Sequence, residues 1–399
     1  MRLVLQNIIH KNNPYYKDIL ELCHRSKNLY NATLYEIRQH YFESNKYLSY
    51  PSIDKKFKDT NNPDYRSIPA QAAQQTMRAV DSSFKSFFRL ASKKKSKTYD
   101  KKISLPKYLD KDGFYMIIFP GQTLSHKELR NGTIHIPKTD IRLKTIVTDI
   151  KQVRFIPKGG YVLMEIIYEK KEDELRSNDG RYAAIDLGIN NLATVTSNVS
   201  RSYIVNGKPV KSINQYYNKK RAEYQSKLKN RKSSNRIQRL TLKRNNKIKD
   251  YFHKASAYIT NQLVSDSINT LIIGKNDGWK QDVNMGTRNN QSFTSIPHST
   301  FINMISYKCR MKGINVIMID EAYTSKSSFL DLDPIPDLKD KNIPSFSGKR
   351  IKRGIYVSGS GRIINADVNG SYNIMRKEVG DASMPADRGF VFNPVRLDF

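Results

Sequence analysis

Apolar and polar residues alternate over residues 1 to 10 (Leu3, Leu5, then Ile8 and Ile9), which is the period of a strand, and from Pro14 to Tyr47 the pattern switches to helical spacing. A second helix is predicted where Ile68, Ala72, Gln75, Ala79, Val80, Phe84, Phe87 and Phe88 recur at three- and four-residue intervals behind a Pro69 suited to a first turn. From Phe114 to Lys170 the chain reads as strands, YMIIF, GTIHI, QVRFI and YVLMEIIYE, punctuated by Gly, Pro, Asn and Asp. These predict a small antiparallel barrel, closed by strand 1–10, with residues 12–110 inserted as a helical lobe. Beyond Arg181 come strands AAIDLGI and NLATVTS, a long polar helical region over 212–254 running on through Leu263, strand TLIIG, a helix near 297–312, strand INVIMID, an acidic irregular stretch over 331–344 and a last helix from Asp367. Strands mixed with helices in this order predict an α/β domain.

The chain has 399 residues, enough for two or three domains and too many for a peptide hormone or a lone binding module. Lys and Arg number 69 against 37 Asp and Glu, a net charge of +32 that self-repels unless a large polyanion neutralises it. Nucleic acid is the partner this favours. Cys23 and Cys309 are the only cysteines, which excludes a disulfide framework and any four-thiolate zinc site and fits a reducing cytosol. The first residues lack the apolar core of a secretory signal and no long uncharged apolar run occurs, so the expectation is a soluble protein of bacterial-type cytoplasm, associated with the nucleoid and not with a membrane. No phosphate-binding Walker loop is present, hence no NTP use is expected.

The charge is concentrated. Between Arg201 and Lys254 seventeen Lys and Arg stand against Glu223 and Asp250, a net of +15. The plain reading is a solvated helical hairpin. The stripe of Tyr216, Tyr217, Tyr224, Leu228, Leu240 and Leu242 is thin, however, so a helix pair here presents basic faces suited to phosphate. The residues expected to contact nucleic acid are Lys219, Lys220, Arg221, Lys227, Lys229, Arg231, Lys232, Arg236, Arg239, Lys243, Arg244 and Lys247. Lys93, Lys94, Lys95 and Lys97 form a second basic run, either solvated or touching phosphate, and DLDPIPDLKDKNIP is too rich in Pro and Asp to pack and is expected as a flexible loop.

Asp186 ends a buried strand, Ala183-Ala184-Ile185, before a Gly188 that permits a turn into the next strand. A lone Asp in such a place is more often a turn or cap residue. Asp367 changes that balance, because it heads a helix whose next residues are small, and such a helix packs closely beside a strand that carries Asp186. Two carboxylates brought together need a cation.

AIDLGINNLATV and NADVNGSYNIMRK, with YTSKSS upstream of the second, resemble the RuvC-like (RNase H-like) nuclease motifs of the TnpB family, the transposon-encoded OrfB proteins related to type V CRISPR effectors. IPAQAAQQTMRAVDSSFKSFF, the basic region, IGKNDGWKQ and NNQSFTSIPHSTFINMISYKCRMKGI follow in the family's order. The resemblance implies an RNA-guided DNA endonuclease. A guide RNA from the transposon end would be held by the protein and paired with one strand of target double-stranded DNA, beside a short duplex motif read by the N-terminal part. It also implies cleavage with two Mg²⁺ ions on carboxylate ligands. The implied architecture is α/β plus β-barrel and helical lobe: an oligonucleotide-binding-type barrel (1–11 and 111–178), a recognition lobe (12–110), a RuvC-like domain (179–322 and 362–380), a ribbon-like insertion (323–361) and a C-terminal tail (381–399).

Two departures stand out. The family's second acid follows the strand that matches TLIIG, but here the chain reads Ile272-Ile273-Gly274-Lys275-Asn276, and Asp277 comes too late. Glu321, after INVIMID, is the expected replacement, as in some members of the lineage, so that the catalytic and metal-binding set becomes Asp186, Glu321 and Asp367. Asp320 competes, and the bland alternative is an acid that ends a strand and pairs with Lys326. The family's zinc ribbon has lost its cysteines: Ser325, Ser328, Ser358 and Ser360 stand nearby and no zinc is expected, only a β-hairpin whose Lys349, Arg350, Lys352 and Arg353 either clasp nucleic acid or are solvated. Trp279 is read as core or as a base-stacking residue, and His298, without a second His, gives no HUH or HNH nuclease. The other readings are a nuclease-inactive RNA-guided DNA-binding protein acting as a transcriptional repressor, and a strand-joining transposase.

Overall fold

The computed structural model describes residues 1–228, 233–275, 295–340, 342–352, 354–384 and 393–399. It divides into two compact units, Met1–Lys170 and Lys171–Phe399. Among the described residues no helix is long and apolar enough to cross a membrane.

In the first unit, strand β1 (Arg2–His10) leads into helices α1 (Tyr16–Ser44), α2 (Tyr50–Asp59), α3 (Pro63–Arg66) and α4 (Ala70–Lys95). Strand β2 (Ile117–Pro120), helix α5 (His126–Arg130) and strands β3 (Thr133–His135), β4 (Arg142–Lys144), β5 (Ile150–Lys158) and β6 (Tyr161–Glu169) follow. Helix α4 forms because Ala72, Ala73, Thr76, Met77, Val80 and Phe84 fall on one buried stripe. Lys93, Lys94 and Lys95 lie inside its last turn, where cations suit the carbonyl end of the helix dipole. Strand β1 joins the sheet across the helical segment by pairing antiparallel with β6, Arg2 opposite Glu169 and His10 opposite Tyr161. The sheet runs β1-β6-β5-β2, and among the described residues its ends do not pair into a ring. GTIHI does not join it, contrary to expectation: β3 pairs with β4 in a separate two-stranded sheet, held by a turn at Gly132 (φ +68) whose carbonyl accepts from Thr145 N at 2.8 Å.

The second unit is a mixed sheet. Strands β7 (Tyr182–Leu187), β8 (Asn191–Ser197) and β9 (Tyr203–Asn206) form an antiparallel meander, and helices α6 (Lys208–Ser226) and α7 (Asn235–Ser265) follow. Strand β10 (Thr270–Gly274), helix α8 (His298–Arg310) and strand β11 (Asn315–Ile319) come next. The chain continues as a three-stranded sheet of β12 (Lys349–Lys352), β13 (Ile355–Val357) and β14 (Ile363–Asn365), then helix α9 (Ala366–Val379) and strand β15 (Val395–Leu397). The main sheet has the order β11-β10-β7-β8-β9-β15, with β10 parallel to both β7 and β11. Two short strands were not legible in the hydropathy: β9, which lies inside the basic region, and β15, which draws the expected tail into the sheet edge beside β9.

Strand alternation sorts the core. Ala183, Ile185 and Leu187 of β7 and Leu271 and Ile273 of β10 pack with α7 and α8 on one face. Ala184 and Ile272 face the other side, with Val368, Tyr372 and Ile374 of α9. Asp186 and Gly274 share the parity of this second set, so the helix headed by Asp367 covers both.

The stretch 331–344 is irregular, as its composition predicted, but its start is anchored. Asp331 accepts hydrogen bonds from Ser328 Oγ, Ser347 Oγ (3.0 Å) and the amides of Gly359 (2.6 Å) and Ser360 (3.3 Å). Asp333 Oδ2 accepts from the amides of Ser328 and Ser347, at 2.9 and 3.0 Å. One carboxylate thus gathers residues from three separate segments. Burial raises the Asp331 carboxyl pKa, but these hydrogen bonds outweigh it and leave the group below its usual range. A lowered folded-state pKa gives stability that is present above the ordinary carboxylate range and lost as pH falls through the folded value. Asp331→Ala is therefore expected to destabilise the second unit by about 2–3 kcal/mol at neutral pH, read by denaturant unfolding, with the difference from wild type shrinking under acid.

An acid cluster at the sheet ends and a basic helical hairpin

Three parallel strands deliver their carboxyl ends to one edge, the usual place for a site in such sheets. Asp186 stands one residue before the end of β7 and Gly274 ends β10. Glu321 follows β11 by two residues, in a turn where Tyr323 takes a left-handed φ of +62. A bulky side chain at positive φ is strained by roughly 1–2 kcal/mol. Helix α9 holds this turn in place: Asn373 Nδ2 donates to the carbonyls of Thr324 and Ser327 at 2.9 and 2.7 Å, and Asn369 donates to Ser327 O and accepts from Phe329 N. Thr324 Oγ1 donates to Glu321 O at 2.8 Å.

Glu321 lies close to the end of β10. A Cβ added at Gly274 would meet Glu321 Oε2 at 2.9 Å and Ile374 Cδ1 at 2.5 Å, so the Glu321 carboxylate lies over the residue that lacks a side chain. A Cβ at Gly370 of α9 would meet Asp186 Oδ2 at 2.9 Å. Both glycines are there for close approach. Asp320, the competitor, is used locally: its Oδ1 accepts from Ala322 N at 2.8 Å. Lys326 lies over the Tyr323 ring, 5.5 Å from its centre, and not against either acid.

Asp367 begins α9, capped by Asn365, whose Oδ1 accepts from the amides of Asp367 and Val368. Its own oxygens meet Asn191 Nδ2 at 2.6 Å and Arg350 Nη2 at 3.4 Å. Burial, then the charges of Glu321 and Asp367, push the Asp186 carboxyl well above its usual range, with Arg350 opposing them. Burial, then Asp320, pushes Glu321 up to about 7. The three acids therefore interact, and hard oxygen donors that repel one another suit a divalent cation. Their spacing is another matter: among the described residues no three acids, His or Cys stand close enough to hold an ion as the side chains lie.

Sequence reasoning missed the surroundings of Asp367. A cavity of about 460 Å³ opens beside it, lined by Asn190, Asn191, Lys208, Arg350 and Arg396 among others, so one acid faces three cations. Arg350 was legible as a basic hairpin residue but not as a partner of Asp367, and Arg396 gave no signal, since β15 reaches the site only through pairing with β9. His298 is a positioning residue: it is buried, and its Nε2 lies 3.0 Å from Gly188 O in the turn after β7.

The basic region folds as the α6/α7 hairpin. Ion pairs of Lys220 and Lys227 with Glu223, and of Lys254 with Asp250, leave Lys219, Arg221, Lys243 and Lys247 exposed. Arg236 sits 4.2 Å above the Tyr224 ring. Arg244 is turned inward, contrary to expectation, donating to Asn214 Oδ1 at 2.7 Å and Ser295 O at 2.6 Å. Arg239 is exposed on α7, while Lys229, Arg231, Lys232, Arg353, Asp277 and Trp279 lie outside the described residues.

An α/β sheet with carboxylates at its strand ends, flanked by a basic hairpin, is the class of protein these observations define. Residues 165–280 match the family OrfB_IS605, described as probable transposase, and residues 298–374 match the Cas12f1-like TNB domain. These two segments are similar to those families, in keeping with the resemblance to the TnpB (OrfB) type that the motifs carry. No curated protein matches. Solved structures that align include a Cas12f1–sgRNA–target DNA complex (14% identity, 94% of this chain and 98% of that one, TM-score 0.37). Another is the mini-RNA-guided endonuclease CRISPR-Cas_phi3 (10% identity, 94% and 92%, TM-score 0.47).

A carboxyl group with a folded-state pKa near 7 binds its proton more tightly folded than unfolded, so it costs stability as pH rises from about 4.5 through 7. Glu321→Gln is expected to raise the melting temperature above pH 7 by on the order of 2–4 °C, with the gain vanishing near pH 4.5, as read by calorimetry.

Proposed function

We propose that the protein is an RNA-guided DNA endonuclease whose RuvC-like site consists of Asp186, Glu321 and Asp367. The observation that carries this reading is the Glu321 carboxylate lying over Gly274, where a strand-borne acid is missing. A protein that only binds nucleic acid has no use for enclosed, mutually repelling carboxylates at one sheet edge. The resemblance of the motifs to the TnpB family implies a guide RNA and target double-stranded DNA as partners, and the net charge of +32 agrees with a protein that holds backbone and leaves sequence to base pairing. The sheet of the first unit and its helical segment then serve recognition of the short DNA motif and the heteroduplex.

Two Mg²⁺ ions, when bound by these acids, supply an activated water and a counter-charge for the leaving oxygen of a phosphodiester. The chain's own residues do the rest. Lys208, Arg350 and Arg396 draw the phosphodiester into the cavity beside Asp367. Arg350 pairs with Asp367 at 3.4 Å and offsets its charge. Asn191 orients the Asp367 carboxylate, and His298 fixes the turn that carries Gly188. Gly274 and Gly370 keep room for Glu321 and Asp186 beneath α9.

The binding-only reading is favoured by one observation, that the acids do not converge on a point among the described residues. Wild-type protein with a co-purified discrete RNA and a matching target decides between them. Mg²⁺-dependent cutting is expected, and its complete absence with intact guided binding establishes the binding-only protein. Glu321→Gln is expected to lose cutting by roughly 100-fold or more while guided binding stays intact, since only the charge that holds an ion is removed. Replacing Lys219, Arg221, Arg236 and Arg239 by Gln is expected to weaken binding equally for all sequences and to flatten its salt dependence, by a slope of about 0.7–0.9 per lost phosphate contact.

A further inference from the structure

Away from the acids, a cavity of about 360 Å³ opens between α6 and α7, lined by Ile213, Tyr216, Tyr217, Leu240, Lys243 and Lys247 among others. This is at the small end of the range for ligand pockets, roughly 300–1,000 Å³. Its floor is rigid. Tyr217 is tied through its hydroxyl to Thr241 Oγ1 at 3.1 Å, and the Arg244 guanidinium lies 5.6 Å from its ring centre. Arg244 is itself locked by Asn214, Asn245 and Ser295. Tyr216 is different: it keeps 60% of its surface exposed at the rim. Lys243 and Lys247 stand on the opposite helix, both exposed, and no acid lines the cavity. The hairpin's acids, Glu223 and Asp250, are engaged by Lys220, Lys227 and Lys254.

An apolar slot with an exposed aromatic wall and a cationic rim selects a flat ring joined to an anion. We propose that this cavity receives one unpaired nucleobase of a bound single strand, stacked on Tyr216 above Ile213 and Leu240, with the flanking phosphates on Lys243 and Lys247. Stacking on an aromatic face tolerates every base, so the pocket holds the strand without reading it. A base drawn out of a strand anchors that strand's register along the hairpin, which phosphate contacts alone do not do, since they allow sliding. The inference rests on the reading that nucleic acid lies along this hairpin, and RNA and DNA strands share the chemistry.

The test uses the full chain freed of co-purifying nucleic acid, with short single strands of RNA or DNA that carry the fluorescent base 2-aminopurine at one position in each. Stacking in the pocket is expected to quench the fluorescence of one position in the series. Tyr216→Ala is expected to abolish that quenching and weaken binding roughly 5- to 100-fold, and Tyr216→Phe, which keeps the ring, to preserve both. Lys243→Gln with Lys247→Gln is expected to lower the salt slope by about 1.4 while quenching persists at low salt. Tyr216 is exposed, so the unfolding midpoint stays that of wild type. Tighter binding in one arm assigns the strand to RNA or to DNA. Absence of quenching at every position, or equal binding by the Ala and Phe variants, overturns the pocket even if guided cutting is found. Quenching by a protein that never cuts leaves the pocket standing and removes only the nuclease.

Discussion

Enclosing like charges beside one another in a place with little water is unfavourable, and the second unit is arranged around that constraint. Asp186 and Glu321 are held where burial and mutual repulsion both oppose ionisation, and Asp367 adds a third negative group. Contacts elsewhere must outweigh this. The apolar faces of β7 and β10 fix the sheet, Tyr372 stacks on Phe329 with ring centres 4.4 Å apart, and Asn369, Asn373 and Arg376 of α9 bind the chain that leads away from Glu321. Close approach is possible because Gly274 and Gly370 have no side chains.

The place of Glu321 beyond the end of β11 sets what holds this acid. An acid on a central strand inherits its position from the sheet ladder. Glu321 inherits its position from a strained turn, and that turn from hydrogen bonds to α9. The chain after it is held the same way, with Asp331 and Asp333 collecting hydroxyls and amides. Such a network responds to pH.

The α/β character of the second unit was legible because its strands are long apolar runs with clear turns, and Asp186 and Asp367 were legible because each sits beside small residues at an element boundary. Glu321 could be singled out from the gap at Gly274, but the choice over Asp320 needed the turn itself, since the two are adjacent and β11 ends just before them. Strand β15 and Arg396 were not legible, because three residues carry no period and their partner β9 is nearly as short. The anchoring by Asp331 and Asp333 was missed for a different reason: composition reports that Asp and Pro do not build a core, and says nothing of a carboxylate that finds donors far along the chain.

Among the described residues strand β11 is outermost in its sheet and pairs with β10 alone, with Met318 exposed. Edge strands have the lowest opening free energies of a sheet. Glu321 therefore follows an edge strand, while Asp186 lies next to the sheet centre. A transient peeling of this single strand parts Glu321 from Asp186 and leaves the hairpin and the meander untouched. On the proposed function, readiness to cut is thereby separated from the capacity to bind, and a contact that clamps the sheet margin gains control of the first without altering the second.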